Sequence, residues 1–147
     1  MTADPEPVFN QAWVGVSSGP LSAPVLGRVV GMLAARSDCP IDRLDDALLV
    51  ADAVAAKAGS FSDDGRVRVR VVARLGSVEL RVGPLLDGGA KGLIDSAALP
   101  GVGNVLEQVA DELEPYDGDD GEEYLLVRLV FDAQRPPTID RMESDVT

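Results

Sequence analysis

Two glycines two apart, Gly101 and Gly103 in "LPGVGNVLEQVADELE", stand at the mouth of an apolar-periodic segment. Glycines so placed let backbone N–H groups approach a phosphate at the positive end of a helix. The plainer alternative is that Pro100 and Gly101 make a turn and Asn104 caps the helix after it. A second candidate is Asp52, in "VADAVAAKA", a carboxylate inside a helical pattern. With Leu48, Leu49, Ala55 and Ala56 on adjoining turns, its side chain is expected to face an apolar surface. It is then either bonded to an Arg or to backbone N–H groups, or free to act as a base or ligand contact. The chain has no histidine and a single cysteine, Cys39. Zinc centres and Ser-His or Cys-His nucleophiles are thereby excluded, and the chemistry that remains is carboxylate chemistry. No metal-ligating set is read.

The elements that must position these residues are set by the period of the apolar pattern. Phe9 to Val16 reads as a strand ended by "SSGP". Ser22, with Pro24 behind it, is expected to cap a helix whose stripe is Val25, Leu26, Val29, Val30 and Leu33. Asp42 is expected to cap a second helix, reinforced by Asp45, that runs to about Ala58 and stops at Gly59. From Arg66 the period changes to two: "RVRVRVVARLGSVELRV" reads as a hairpin turning at Leu75 to Ser77. Val67, Val69 and Val71 face inward with Val78, Leu80 and Val82, leaving Arg66, Arg68, Arg70, Glu79 and Arg81 on the other side. That arginine stripe, joined by Arg128, is either a solvated face pairing with local acids or a contact for a protein or a second copy. Gly83 to Ala98 shows no clean period and reads as a long functional loop or the relic of one. A third helix carries Val102, Val105, Leu106, Val109 and Leu113 on one face. After the acidic turn "PYDGDDGEE", Tyr124 to Phe131 is a last strand.

This order predicts an α+β fold: a two-layer sandwich with a mostly antiparallel, mixed sheet and three helices on one face. At 147 residues one domain is expected, covering about 8–134, with loose segments at 1–7 and 135–147. The formal charge of -12 argues against nucleic acid and anionic membrane and suits a basic protein partner better. The longest apolar stretch, Ala47 to Ala58, is broken by Asp52 and Lys57 and falls short of the roughly 20 residues of a spanning helix. No basic-then-apolar leader is read and Cys39 has no internal partner, so the expected location is cytoplasmic.

Three stretches, "VADAVAAKA", "VGPLLDGGA" and "LPGVGNVLEQVADELE", together with the element order, resemble the histidine-kinase-like ATPase fold. The nearest resemblance is to its RsbW-like anti-sigma-factor serine/threonine kinase branch. The resemblance spans nearly all of the expected folded unit and implies a site for ATP and Mg²⁺, with a sigma factor or a STAS-type anti-anti-sigma protein as partner. Carried over residue by residue, the family's activating base falls on Asp52 and its metal-holding asparagine on Ala56, which has no oxygen to offer. The adenine-reading aspartate falls on Gly83 or Pro84, with Asp87 beside Gly88 and Gly89 as a displaced candidate. Gly101 and Gly103 fall at the phosphates. The resulting expectation is an anti-sigma-like regulator with a degenerate nucleotide site, holding no cofactor and acting by protein binding. The alternatives are an active ATP-dependent serine/threonine protein kinase and a dimerising module without a ligand.

Overall fold

The structure, a computed structural model, describes residues 8–131. The segments 1–7 and 135–147, and the last three residues of the expected domain, lie outside the described residues. Along the chain run Val8–Ser17 (β1), Ser22–Ala35 (α1), Ile41–Lys57 (α2), Arg66–Arg74 (β2), Ser77–Leu85 (β3) and Gly89–Ser96 (α3). Then come Ala98–Leu99 (β4), Gly103–Asn104 (β5), Val105–Val109 (α4), Glu112–Asp117 (β6) and Glu123–Val130 (β7). Five strands form one sheet in the order β1-β2-β3-β7-β6, and β4 with β5 forms a separate two-stranded ribbon. Every pairing is antiparallel. The architecture is α+β, as expected, with four α-helices where three were expected and no parallel pair among the described strands.

The period-two pattern dictates the centre of the sheet. Val69 lies opposite Val82, Val71 opposite Leu80 and Ala73 opposite Val78, so one face of the hairpin is wholly apolar and must be covered. Leu26, Val30 and Leu33 of α1 and Val50, Ala51 and Val54 of α2 cover it, in one core with Leu125, Val127 and Leu129 of β7. Each fully buried Val or Leu in this layer contributes roughly 1.5–3 kcal/mol.

The helix starts differ from expectation. The residue before α1 is Leu21, which offers no side-chain cap. Ser22 instead sits buried inside the first turn, its hydroxyl donating to the carbonyls of Gly19 (2.8 Å) and Ala55 (3.3 Å), which ties α1 to the end of α2. Pro40, in extended conformation, precedes α2, and Asp42 stands within the first turn. There its charge meets the helix dipole without capping an amide.

Two larger corrections concern the second half. The stretch 83–98 is not a long loop: it contains α3, which buries Ala90 and Leu93 in the core. Its glycines let the helix close on Phe61, since a Cβ at Gly92 would lie 2.5 Å from the Phe61 ring. The third helix expected from Val102 to Leu113 stops at Val109, and the chain turns extended at Ala110. Asp111 then clips it to the sheet, its amide donating to the Arg128 carbonyl (2.8 Å) and its carboxylate accepting from the Val130 amide (2.7 Å). Leu113 faces Val127 as part of an edge strand. Its four-residue spacing from Val109 suits a helix, but pairing the open edge of β7 satisfies more backbone groups than one further helical turn.

Candidate functional site

Gly101 sits at the third position of a tight turn, Leu99-Pro100-Gly101-Val102, closed by the Val102 amide on the Leu99 carbonyl at 3.0 Å. Its φ of +77° is what a type II turn demands there, after a proline in second place. Gly103 comes next in β5 with φ +102°, and a Cβ on it would meet Gln108 Nε2 at 2.5 Å. The Gln108 amide is held over this ribbon by donating to the Val102 carbonyl (2.8 Å). Asn104 caps α4, its side-chain oxygen accepting from the Glu107 amide (3.1 Å) while its Nδ2 donates to the Ile94 carbonyl (2.7 Å). The turn-and-cap arrangement is therefore present in full, and the helix it opens has only five residues.

Asp87 is exposed in the turn that leads through Gly88, φ +77°, into α3. It borders a cavity of about 670 Å³ whose other acids are Asp63, Asp64, Asp120 and Glu122. Arg68 is the one base on that wall, and it is tied to Asp64 at 2.5 Å. That pairing holds the Asp64 carboxyl well below the usual range. Gly89, by contrast, is buried behind this turn. The amides at the start of α3 already have an anion: Glu123, at the head of β7, accepts from the Gly88 amide (2.9 Å) and the Ala90 amide (2.8 Å). Sequence does not single out Glu123, because it ends an acidic run and nothing local marks it as a cap for amides 33 and 35 residues away.

Asp52 is exposed, where the sequence pattern has it facing an apolar surface. The buried stripe of α2 is Ala47, Val50, Ala51, Val54 and Ala55. Asp52 and Ala56 lie together on the opposite side, and Leu49, expected in the apolar surface, is 47% exposed. The Asp52 carboxylate makes no hydrogen bond or ion pair with the described residues. The cavity beside Asp87 takes in none of Asp52, Gly89, Gly101 and Gly103. At Gly83, where an adenine-reading aspartate would fall, a Cβ would lie 2.7 Å from the Tyr124 ring and 3.0 Å from the Glu123 carbonyl. Burial pushes the Cys39 thiol up to about 11, away from the lowered values of reactive thiols. Among the described residues no group of three or more Cys, Asp or Glu is placed to hold a metal ion, and no helix is long and apolar enough to cross a membrane.

The sheet face away from the helices carries the arginine stripe. Glu79, 4% exposed, is buried between Arg74 (3.0 Å) and Arg81 (2.6 Å). Beside them a groove of about 830 Å³ runs between Trp13 and a stacked pair, Tyr116 and Tyr124. Sequence gives no sign of Trp13's place in this groove, because only the pairing of β1 with β2 sets it opposite Arg70. Compared with known proteins, the sequence matches no family model and no curated protein.

Proposed function

We propose that this chain is an anti-sigma-factor-like regulatory protein with a degenerate nucleotide site, acting by binding a sigma factor or a STAS-type protein. The observation that carries the reading is Glu123. The resemblance puts adenine recognition at Asp87, beside Gly88 and Gly89; here the chain's own carboxylate already takes the Gly88 and Ala90 amides of that turn. Ala56 offers no metal ligand, Gly83 has no room for a side chain beside Tyr124, and the acids around Asp87 repel a triphosphate. Losing the charge-assisted bond to adenine costs on the order of 1.5–3 kcal/mol, about ten- to a hundredfold in affinity.

The test is a titration of the purified chain with ATP and Mg²⁺, followed by heat and by melting temperature. The expected result is no saturable binding at micromolar ATP, together with retention on an immobilised sigma factor or STAS protein. Saturable micromolar binding overturns the degenerate site, and failure with every such partner overturns the regulator. One observation favours an active kinase as the second reading: the free, exposed carboxylate of Asp52. Phosphate transfer to a STAS protein that is lost in Asp52→Asn would establish it.

A further inference from the structure

The face of the sheet opposite the helices is unlike the rest of this acidic molecule. Arg66, Arg68 and Arg70 succeed one another on one side of β2, and Arg81 lies directly opposite Arg70 on β3. Arg68 and Arg81 are neutralised by Asp64 and Glu79. Arg66 and Arg70 are not: Arg66 donates to the Ser17 hydroxyl at 3.4 Å, and Arg70 to the Gln11 amide oxygen at 3.1 and 2.6 Å. The Arg66 amide donates to the Asp64 carboxylate (3.1 Å), but among the described residues neither guanidinium has a carboxylate partner. The Arg70 guanidinium lies 5.3 Å from the centroid of the Trp13 ring, and Trp13 is 70% exposed. Gly15, opposite Arg68, leaves the floor between them bare.

We propose that this groove docks an acidic, extended segment of a partner protein, its carboxylates on Arg66 and Arg70 and an apolar side chain on Trp13. The proposal rests on the protein-binding reading above and names the surface that serves it. Four residues along β2 span about 13 Å, which an extended chain matches with acids four apart. A charge-assisted pair with an unneutralised arginine beside an aromatic ring is the kind of contact that dominates an interface. The far wall supplies direction. Asp117, Asp119 and Asp120 line it, so carboxylates are repelled there and are confined to the β1–β2 side. The same acids, with the net charge of -12, weigh against a nucleic acid, whose charge would run the length of the groove. The overall charge draws a basic partner to the rest of the surface, while the Arg66–Arg70 side of this face draws the opposite sign.

Trp13 is the chain's one tryptophan, so its emission reports on this face directly. The full chain is titrated with the extended peptide Glu-Ser-Leu-Ser-Glu, whose acids stand four apart on one face with the leucine between them, with a lysine-for-glutamate counterpart, and with a single-stranded oligonucleotide. The glutamate peptide is expected to shift Trp13 emission to the blue, saturably and less tightly at high salt, and to shield it from acrylamide. In Arg66→Gln/Arg70→Gln the affinity falls about tenfold or more; each single variant falls part of the way, and circular dichroism checks the fold. The proposal is overturned by an unmoved Trp13, by equal binding of the lysine peptide or the double variant, or by tighter binding of the oligonucleotide. It is overturned equally by a blue shift on raising protein concentration alone with a doubling of mass, which would put a second copy on the face. Should ATP bind while the peptide result holds, the degenerate site fails and the docking surface stands. If a sigma factor or STAS protein binds wild type and double variant alike, the regulator stands and this surface fails.

Discussion

Glu123 and Tyr124 are neighbours in sequence that point to opposite faces of the sheet, and each binds a group that its own strand does not supply. Glu123 satisfies two amides at the start of α3, those of Gly88 and Ala90, and a charged acceptor at a helix start is worth about 1–2 kcal/mol. Glu123→Gln keeps the shape but loses the charge and one acceptor. It is expected to lower stability by about 1 kcal/mol in denaturant unfolding, with hydrogen exchange accelerated first in the amides of α3. Tyr124 donates its hydroxyl to Asp120 at 2.7 Å. The bond holds the Asp120 carboxyl below its ordinary value and pushes Tyr124 up from 10.0 to about 12. The signs of the two linkages differ. The depressed acid stabilises the fold above its ordinary range, and that contribution is lost as pH falls. The raised phenol stabilises it below 10.0, and that contribution is lost as pH climbs toward about 12. The gap in melting temperature between wild type and Tyr124→Phe is therefore expected to be widest near neutrality and to close at both extremes; a gap independent of pH would contradict the bond.

At the scale of elements, sequence makes legible whatever a period decides locally. The hairpin of β2 and β3 comes from strict alternation, and its inward and outward residues are those the pattern names. The stripes of α1 and α2 come from the helical period, although on α2 the stripe lies one residue away from where Leu48 and Leu49 suggest, which is why Asp52 turns out to be exposed. The misses share a different cause. Whether 112–117 is helix or strand depends on the unpaired edge of β7, a long-range fact no window of residues contains. Likewise, "LLDGGAKGL" reads as a glycine-rich loop unless it is known that Phe61 lies against the helix these glycines build. Substituting Gly92 tests that account. Alanine raises helix propensity by about 1 kcal/mol, but its Cβ would stand 2.5 Å from the Phe61 ring. Overpacking of that kind costs about 1–3 kcal/mol, so Gly92→Ala is expected to be neutral to destabilising. Paired with Phe61→Ala, which vacates the space, the alanine should instead recover stability. A double-mutant cycle in urea measures the coupling; additive effects would show that Gly92 and Phe61 do not compete for room.

For the whole molecule the two faces of one sheet hold opposite relations to water. One is sealed by helices without a charged group in its core; the other carries arginines in a chain of 13 basic and 25 acidic residues. Sequence shows the imbalance but not its arrangement, because most acids among the described residues lie in helix surfaces, turns and the β6–β7 edge that come together only in the fold. At low ionic strength the excess of 12 negative charges repels itself in the compact state. Salt with a Debye length of about 10 Å at 0.1 M screens that long-range repulsion, while close pairs such as Arg74 and Arg81 on buried Glu79 are screened far less. The melting temperature is thus expected to rise as sodium chloride is added up to about 0.1–0.2 M. Breaking the buried cluster reverses the reasoning for one residue only. In Glu79→Gln the arginines at 3.0 and 2.6 Å lose their counter-charge, and removing one partner of a buried pair costs about 3–5 kcal/mol, a loss that salt does not restore. Melting curves of wild type and Glu79→Gln across a salt series separate the two effects: parallel upward shifts with a constant gap are expected. A gap that closes with salt would mean that Glu79 acts as one more surface charge instead of as the pin that lets the sheet carry arginines on its open side.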